Sequence, residues 1–216
     1  MWLILCKDLR IEFRSKTGLV SLFVLGLLVL LILQFAMPEK PTPEFAAAGL
    51  WISFVFAGTL GAQRTFLLER ENLCIDGLKS APLDPASIFL AKLLGTSASL
   101  AILQAVVLPL TTILFGIVPR APVALVGLCA LGNLGFSALA TLLASISVAS
   151  RAREVLLPLL IFPVLVPLVI AAVKASAVFL GGGAPDDAAV WVRVLVAFDV
   201  VFGVAGWLLF EHVLRE

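Results

Sequence analysis

The sequence predicts an all-α integral membrane protein with six transmembrane helices, preceded by an amphipathic helix in the membrane interface. Hydrophobic residues make up 62% of the 216 residues and charged residues 13%, whereas soluble domains carry about 25% charged residues. Six apolar runs each reach the ~17–25 residues that a helix needs to cross ~30 Å of hydrocarbon. None alternates with the period of two that is typical of barrel strands. The runs are Leu19–Ala36, Phe45–Ala62, Leu93–Val118, Val123–Ala149, Val155–Val173 and Val190–Phe210.

Residues 1–17 have a separate pattern that predicts an interfacial helix. Apolar side chains from Trp2 to Phe13 recur at helical spacing on one face, and a Trp suits headgroup depth. The cations on another face are Lys7, Arg10 and Arg14. This helix either anchors the chain to the membrane or also docks a partner. Residues 1–216 leave no room for a soluble domain, so we expect one transmembrane domain.

The distribution of Lys and Arg predicts the orientation, because cytoplasmic loops carry an excess of these residues. With the amino terminus in the cytoplasm, eleven of the 15 basic residues fall on that side. The four on the other side are Lys40, Arg120, Lys174 and Arg193. Both termini are therefore predicted to be cytoplasmic. The net charge of +1 is an average over two unequal faces, and no nucleic-acid partner is predicted.

Capping residues mark where several spans begin. Thr42-Pro43 and Asp84-Pro85 each combine an N-cap side chain with Pro at the first helical position. Asp186 and Asp187 precede the last span, where carboxylates favour the positive end of a helix dipole. Between spans five and six, residues 181–185 (GGGAP) predict a flexible outer loop.

Residues 63–92 form a charged cytoplasmic segment between spans two and three. The pattern is helical up to about Leu73, and Asp76-Gly77 then predicts a turn. A short amphipathic helix here can seat in a groove of a soluble partner. The alternative is a solvated connecting loop.

Two blocks of this sequence resemble heme exporter protein B, a permease subunit of the bacterial cytochrome c maturation system. The first is ERENLCIDGLKSAPLDP from Glu69 to Pro85, together with Leu90–Leu93. The second is REVLLPLLIFPVLVPLVIAAVK from Arg153 to Lys174. More broadly, the six spans and the charged segment resemble the permeases of ABC-2-type exporters. The likeness runs nearly end to end.

The resemblance implies partners and a role in the bacterial inner membrane. The partners are a cytoplasmic ABC ATPase, a second heme-handling membrane protein and a small one-span subunit, alongside membrane lipids. The chain has no G-x-x-x-x-G-K-[ST] motif, so ATP is expected on a separate subunit and this chain is not expected to be an enzyme. The ATPase is expected to contact Glu69, Arg70, Glu71, Asn72, Asp76, Gly77, Leu78, Pro82 and Asp84.

The residues predict no heme-iron ligation through His on the outer face, where Met37 lies at the outer end of span one. Axial ligands of heme iron are His, Cys, Met or Tyr. The chain has one His, His212, on the cytoplasmic tail, and no Tyr. Cys6 and Cys74 are predicted to be cytoplasmic, and Cys129 lies in span four. We therefore expect no cofactor or metal bound by this chain, with heme as a transported or partner-bound ligand.

Three polar residues fall within the predicted spans. Asp199 lies about midway along span six, where a carboxylate costs roughly 2.5–3.5 kcal/mol on insertion scales. It is expected to find a partner, and Asn133 and Gln104 lie at compatible depths in spans four and three. These side chains either line a translocation or coupling path or join helices by hydrogen bonds.

Proline and small residues mark further features. Span five carries Pro158, Pro163 and Pro167, each able to kink a helix to form a gate or to shape packing. In span two, the pairs Ala57/Gly61 and Gly58/Ala62 permit close helix contact. This contact suits a homodimer or a partner interface.

Three functions remain open from the sequence. The first is the permease of a heteromeric ABC complex that couples ATP hydrolysis to heme delivery, or to release of a heme-loaded periplasmic chaperone. The second is an export permease for another substrate, such as a lipid, glycan or drug. The third is a non-transporting scaffold that couples an ATPase to a heme-handling partner.

Overall fold

Six α-helices make up the part of the chain that the structure describes. The computed structural model describes the backbone of residues 16–36, 41–71, 85–147 and 153–215, and the side chains of residues 20–36, 41–62, 86–144 and 159–209. The part of the chain so described contains no β-strand. The helices are α1 (Lys16–Phe35), α2 (Pro43–Glu71), α3 (Pro85–Phe115), α4 (Pro122–Ser147), α5 (Arg153–Gly181) and α6 (Pro185–Arg215).

The lengths of these helices confirm the predicted membrane fold. Within the described residues, five helical segments are long and apolar enough to cross a membrane, and Val20–Phe35 in α1 is a shorter apolar helix. The five segments are Pro43–Ala62, Ala86–Phe115, Pro122–Ala144, Leu159–Gly181 and Pro185–Leu209. The protein is therefore a multi-pass helical membrane protein. Its predicted interfacial helix at residues 1–17 lies outside the described residues, except for the first two residues of α1.

Prolines set the starts of two helices as predicted, because α2 and α3 begin at Pro43 and Pro85. α6 begins at Pro185, which the sequence analysis placed in the outer loop. The backbone N–H of Phe45 donates to Thr42 Oγ1 at 3.3 Å, which caps α2. The first turn of α6 contains both acidic residues that the sequence assigned to its start.

Three helices extend beyond the apolar runs because single cations do not interrupt them. α3 begins before Lys92, α5 continues past Lys174 to Gly181, and α6 begins before Arg193. The sequence analysis placed these three cations in loops, whereas the structure places them inside helices. A helix is favoured there because every backbone polar group in a membrane must be paired internally.

α2, α4 and α5 form the centre of the bundle. α5 packs against α2, α4 and α6, while α4 also packs against α3 and α6. α1 lies against α2 and α3 at the periphery. The largest fully buried side chains include Trp51, Phe54 and Phe136, which stack edge to face with centroids 5.5 and 5.3 Å apart. This aromatic row fills the seam between α2 and α4.

One end of the bundle is closed by short capped turns. This turn end comprises the start of α2, the α3–α4 turn at residues 116–121 and the α5–α6 turn at residues 182–184. Gly182 has φ of 81°, and the N–H groups of Gly182 and Gly183 both donate to the carbonyl of Val178. This arrangement is a glycine cap of α5. The predicted outer loop is therefore a compact hydrogen-bonded cap.

Contacts between different helices also hold the turn end together. The carbonyl of Phe179 accepts hydrogen bonds from Arg120 N–H at 3.0 Å and Ala121 N–H at 3.1 Å. A Cβ built on Gly181 would lie 3.1 Å from Pro43 Cγ. The α3–α4 turn and the start of α2 are thus both held against the end of α5. The opposite end, where residues 72–84 join α2 to α3, is called the segment end below.

A buried hydrogen bond joins α2 to α5. Trp51 Nε1 donates to Ser176 Oγ at 2.8 Å, and both side chains are fully buried. Replacing Trp51 with Phe should leave the Ser176 hydroxyl unpaired and also open a small void. We expect a loss of about 1–3 kcal/mol of stability, measured as a lower unfolding midpoint in detergent.

The matched control for that bond is Trp51→Phe combined with Ser176→Ala. Because both polar partners are then removed, the double variant should recover part of the lost stability. A double variant less stable than Trp51→Phe alone would contradict a role for this bond.

Candidate coupling segment and intramembrane polar site

The predicted coupling residues lie at and beyond the end of α2. The last three residues of α2 are Glu69, Arg70 and Glu71, and the next helix, α3, begins at Pro85. The segment therefore joins two helices that pack on each other. The other predicted ATPase contacts, Asn72, Asp76, Gly77, Leu78, Pro82 and Asp84, lie outside the described residues. So do the interfacial residues Trp2, Lys7, Arg10 and Arg14.

The first turns of α3 connect the coupling segment to the bundle. Phe89 is 1% exposed, and a Cβ on Gly206 of α6 would overlap its ring. Lys92, one turn further along α3, is 6% exposed. The sequence analysis singled out neither residue. It read Lys92 as a loop cation, and the contact of Phe89 with α6 could not be seen because it depends on how the helices pack. Displacement of the segment would thus act on α6 as well as on α2.

Asn133 joins α4 to α3 inside the bundle. Its Nδ2 donates to the carbonyl of Ser97 at 2.8 Å, and Ser137 Oγ donates to its Oδ1 at 3.2 Å. Asn133 and Ser137 are buried, as is Gln104 on α3. The amide of Asn133 therefore serves as a link between helices.

Asp199 lies against a glycine of α4. Its Oδ1 is buried and has no hydrogen-bond partner among the described residues, so the expected pairing with Asn133 or Gln104 is not formed. A Cβ built on Gly135 would overlap Asp199 Oδ1 and would lie 2.8 Å from Leu168 Cδ1. Only glycine at position 135 therefore leaves room for this carboxyl group between α4, α5 and α6.

Substitutions at Asp199 can distinguish a packing role from a role on a translocation or coupling path. Asp199→Asn keeps the shape of the side chain, so we expect stability to change by less than about 1.5 kcal/mol. Asp199→Leu brings two methyl groups against Gly135, and overpacking of this kind costs about 1–3 kcal/mol. The measurement is the monodisperse fraction in detergent after heating.

Activity of the Asp199→Asn protein then decides between the two roles. An assembled complex with full activity shows that the charge is not needed. An assembled but inactive complex shows that it is.

The prolines of α5 lie within one continuous helix. Pro158, Pro163 and Pro167 all fall between Arg153 and Gly181. Pro163 and Pro167 are exposed, so they shape the outer surface of α5. The sequence analysis did not weigh Pro109, which lies inside α3, where Thr112 Oγ1 donates to its carbonyl at 2.7 Å.

The small residues of α2 serve contacts within this chain. A Cβ on Gly58 would lie 3.0 Å from the ring of Phe136 in α4, and one on Gly61 would lie 3.2 Å from Leu22 of α1. Ala57 lies 3.8 Å from the Cβ position of Gly26 in α1. These positions are therefore occupied by neighbouring helices of the same bundle.

The described side chains offer no metal centre. Among them, no three His, Cys, Asp or Glu residues come together in a way that could hold a metal ion. Cys129 is 4% exposed in the core of α4. The described residues form a packed helical bundle whose buried polar groups lie at contacts between helices.

Comparison with known proteins identifies the family. Residues 1–215 match the family described as CcmB protein. Heme exporter protein B of Rhodobacter capsulatus is 29% identical over 173 residues, covering 77% of this chain and 78% of the relative. Heme exporter protein B of Paracoccus denitrificans is 28% identical over 194 residues, covering 89% of each chain. The chain belongs to the CcmB family, as the resemblance of its two motif blocks to heme exporter protein B predicted.

Proposed function

We propose that this chain is the permease subunit of a heteromeric ABC complex in cytochrome c maturation. The complex would couple ATP hydrolysis to the delivery of heme, or to the release of a heme-loaded periplasmic chaperone. The observation that carries the proposal is the family match over residues 1–215. The six-helix membrane bundle supports it, because a permease needs such a bundle to receive force from a motor.

The motor of this complex is a separate cytoplasmic ATPase. No phosphate-binding loop motif occurs in the 216 residues. Glu69–Glu71 end α2 at the segment end, which suits contact with a soluble subunit. From there, α3 reaches α6 through Phe89 and Gly206, so movement at the segment has a packed route into the bundle.

The proposal includes an orientation of the chain in a bacterial inner membrane. The segment end lies in the cytoplasm with both chain termini, and the turn end faces the periplasm. The excess of Lys and Arg at the segment end supports this orientation. The proposed membrane partners are a second heme-handling membrane protein, a small one-span subunit and a second copy of this chain.

The packing of the interior favours a second candidate, a scaffold that transmits force without passing a substrate. Trp51, Phe54 and Phe136 are fully buried and fill the seam between α2 and α4. Axial heme ligands are His, Cys, Met or Tyr, and Cys129 is enclosed in this core. Under this alternative, heme is held by a partner, and this chain binds none directly.

Co-purification from native membranes tests the proposal. A tagged chain, extracted in a mild detergent, should retain an ATPase whose sequence contains a phosphate-binding loop, together with a heme-containing membrane protein. Purification of the folded chain with no ATPase would contradict the permease proposal. Retention of the ATPase without any heme-handling partner would favour a permease for another substrate.

A further inference from the structure

Asp199 lies near the middle of a membrane-spanning helix and at the edge of the buried face of that helix. It is about 21 Å along α6 from Pro185 and about 15 Å from Leu209. Its Oδ1 is enclosed against Gly135 of α4 and has no hydrogen-bond partner among the described residues. Asp199 as a whole is half-buried, and Oδ2 is not one of the enclosed atoms. The carboxyl group therefore reaches from the interior of the bundle to its surface.

The surface that Asp199 borders is an exposed stripe along α6. Val196 lies three residues before Asp199, and Gly203 and Trp207 lie four and eight residues after it, so these positions share one side of the helix. Val196 and Trp207 are 44% and 58% exposed. A Cβ built on Gly203 would meet nothing within 4 Å. These four residues, called the Asp199 stripe below, therefore have an open notch one helical turn from the carboxyl group.

Among the five spanning segments that the structure describes, the one in α6 is the least covered by its own chain. In its most apolar stretch 17% of the residues are buried, against 39–72% for the other four segments. Most of its surface is thus left to lipid or to another protein. The carboxyl group decides between these two, because a charged group near the middle of a membrane almost always pairs with another polar group. Lipid at that depth offers only hydrocarbon and does not meet this requirement.

Charge also decides which protein helix fits the Asp199 stripe. A two-fold contact between copies of this chain places the same surface on both sides. The two Asp199 carboxylates would then approach each other, and like charges that face each other across an interface cost several kcal/mol. A Lys or Arg on a helix of another protein would instead pair with the carboxylate. The missing Cβ at Gly203 lets the backbone of such a helix come close.

We propose that the Asp199 stripe of α6 binds a transmembrane helix of a different protein, and that this helix carries a Lys or Arg that pairs with Asp199. The inference rests on the proposed function, because it assigns to this chain the surface that holds one of the membrane partners of the complex. It also accounts for the half-enclosed carboxyl group, whose Oδ2 remains open to a donor from outside the bundle.

Site-specific photo-crosslinking in native membranes tests this proposal. p-Benzoylphenylalanine placed at Val196 should yield an adduct with another membrane protein, and mass spectrometry should map the adduct to a spanning helix that contains Lys or Arg. Asp199→Asn keeps the shape of the side chain but removes its charge. It should lower the adduct yield about three- to thirtyfold, the range expected for polar contacts between membrane helices. A role of Asp199 in packing alone predicts an unchanged yield.

Gly203→Leu separates the partner contact from the folding of this chain. Because position 203 is open within the bundle, the substitution should leave the unfolding midpoint in detergent nearly unaltered. The added side chain should fill the notch, keep the partner helix away and lower the adduct yield by about threefold or more. The control places the photo-reactive residue at Val201, which is 59% exposed on the opposite side of α6. Its adducts should respond to neither substitution.

Several outcomes would overturn the proposal. These are adducts only with lipid, adducts only with a second copy of this chain, a linked helix without Lys or Arg, a yield at Val196 that either substitution leaves unchanged, and an equal loss of adducts at Val201. ATPase retention is measured on the same samples. Retention without the adduct rejects this inference alone, whereas loss of the ATPase from unmodified protein rejects the proposed function.

Discussion

Replacing Gly132 with alanine is expected to cause a large loss of stability. A Cβ at this position would overlap the ring of Trp51 and would lie 2.8 Å from Cζ3. Trp51 is fully buried and is held by its hydrogen bond to Ser176, so it cannot turn away without breaking that bond. Overpacking of this kind costs about 1–3 kcal/mol, and the breakage of the α2–α5 link would add to it.

Gly127→Ala in the same helix provides the control. A Cβ on Gly127 meets nothing within 4 Å, so the same chemical change should leave the unfolding midpoint nearly unaltered. The measurement compares unfolding midpoints of the two purified variants in one detergent. Equal midpoints would show that α4 and α2 are not packed as described.

Reversing the three charges at the end of α2 is expected to abolish association with the ATPase. The change combines Glu69→Lys, Arg70→Glu and Glu71→Lys at the last residues of α2. Like charges placed opposite each other across an interface cost several kcal/mol, so ATPase retained on the purified chain should fall by more than about tenfold, equivalent to 1.4 kcal/mol. Quantitative blotting of the co-purified ATPase provides the measurement.

Asp186→Asn with Asp187→Asn is the matched control at the turn end. These residues occupy the first turn of α6, at the end of the bundle away from the coupling segment. The control should retain the ATPase fully. If it loses as much ATPase as the charge-reversed protein, the coupling segment has no special role.

The sequence predicted the helices well where local chemistry defines them. Pro43 and Pro85 each begin a helix as predicted, because proline lacks the N–H that would be unpaired there. Pro185 was read as a loop residue but begins α6 in the same way. The predicted helix ends were less accurate than the predicted starts. Lys92, Lys174 and Arg193 were read as loop residues, but a single cation costs less than breaking backbone hydrogen bonds in a membrane.

The candidate site was only partly predictable. The depth of Asp199 could be predicted from its place in span six, but its contact with Gly135 depends on how closely α6 approaches α4. Trp51 and Ser176 are 125 residues apart, and no local pattern links them. An apolar groove lined by Phe56 of α2 and Phe162 of α5 likewise arises only when these two helices are packed together.

The central claim is that this chain transmits the work of an ATPase to heme handling across the membrane. Its most direct test is the ATP-dependent release of a heme-loaded periplasmic chaperone from the complex reconstituted in lipid vesicles. We expect release with ATP and the unmodified chain, and little release with the charge-reversed α2 end or with an ATPase unable to hydrolyse ATP. Equal release in the absence of this chain, or without hydrolysis, would contradict the account.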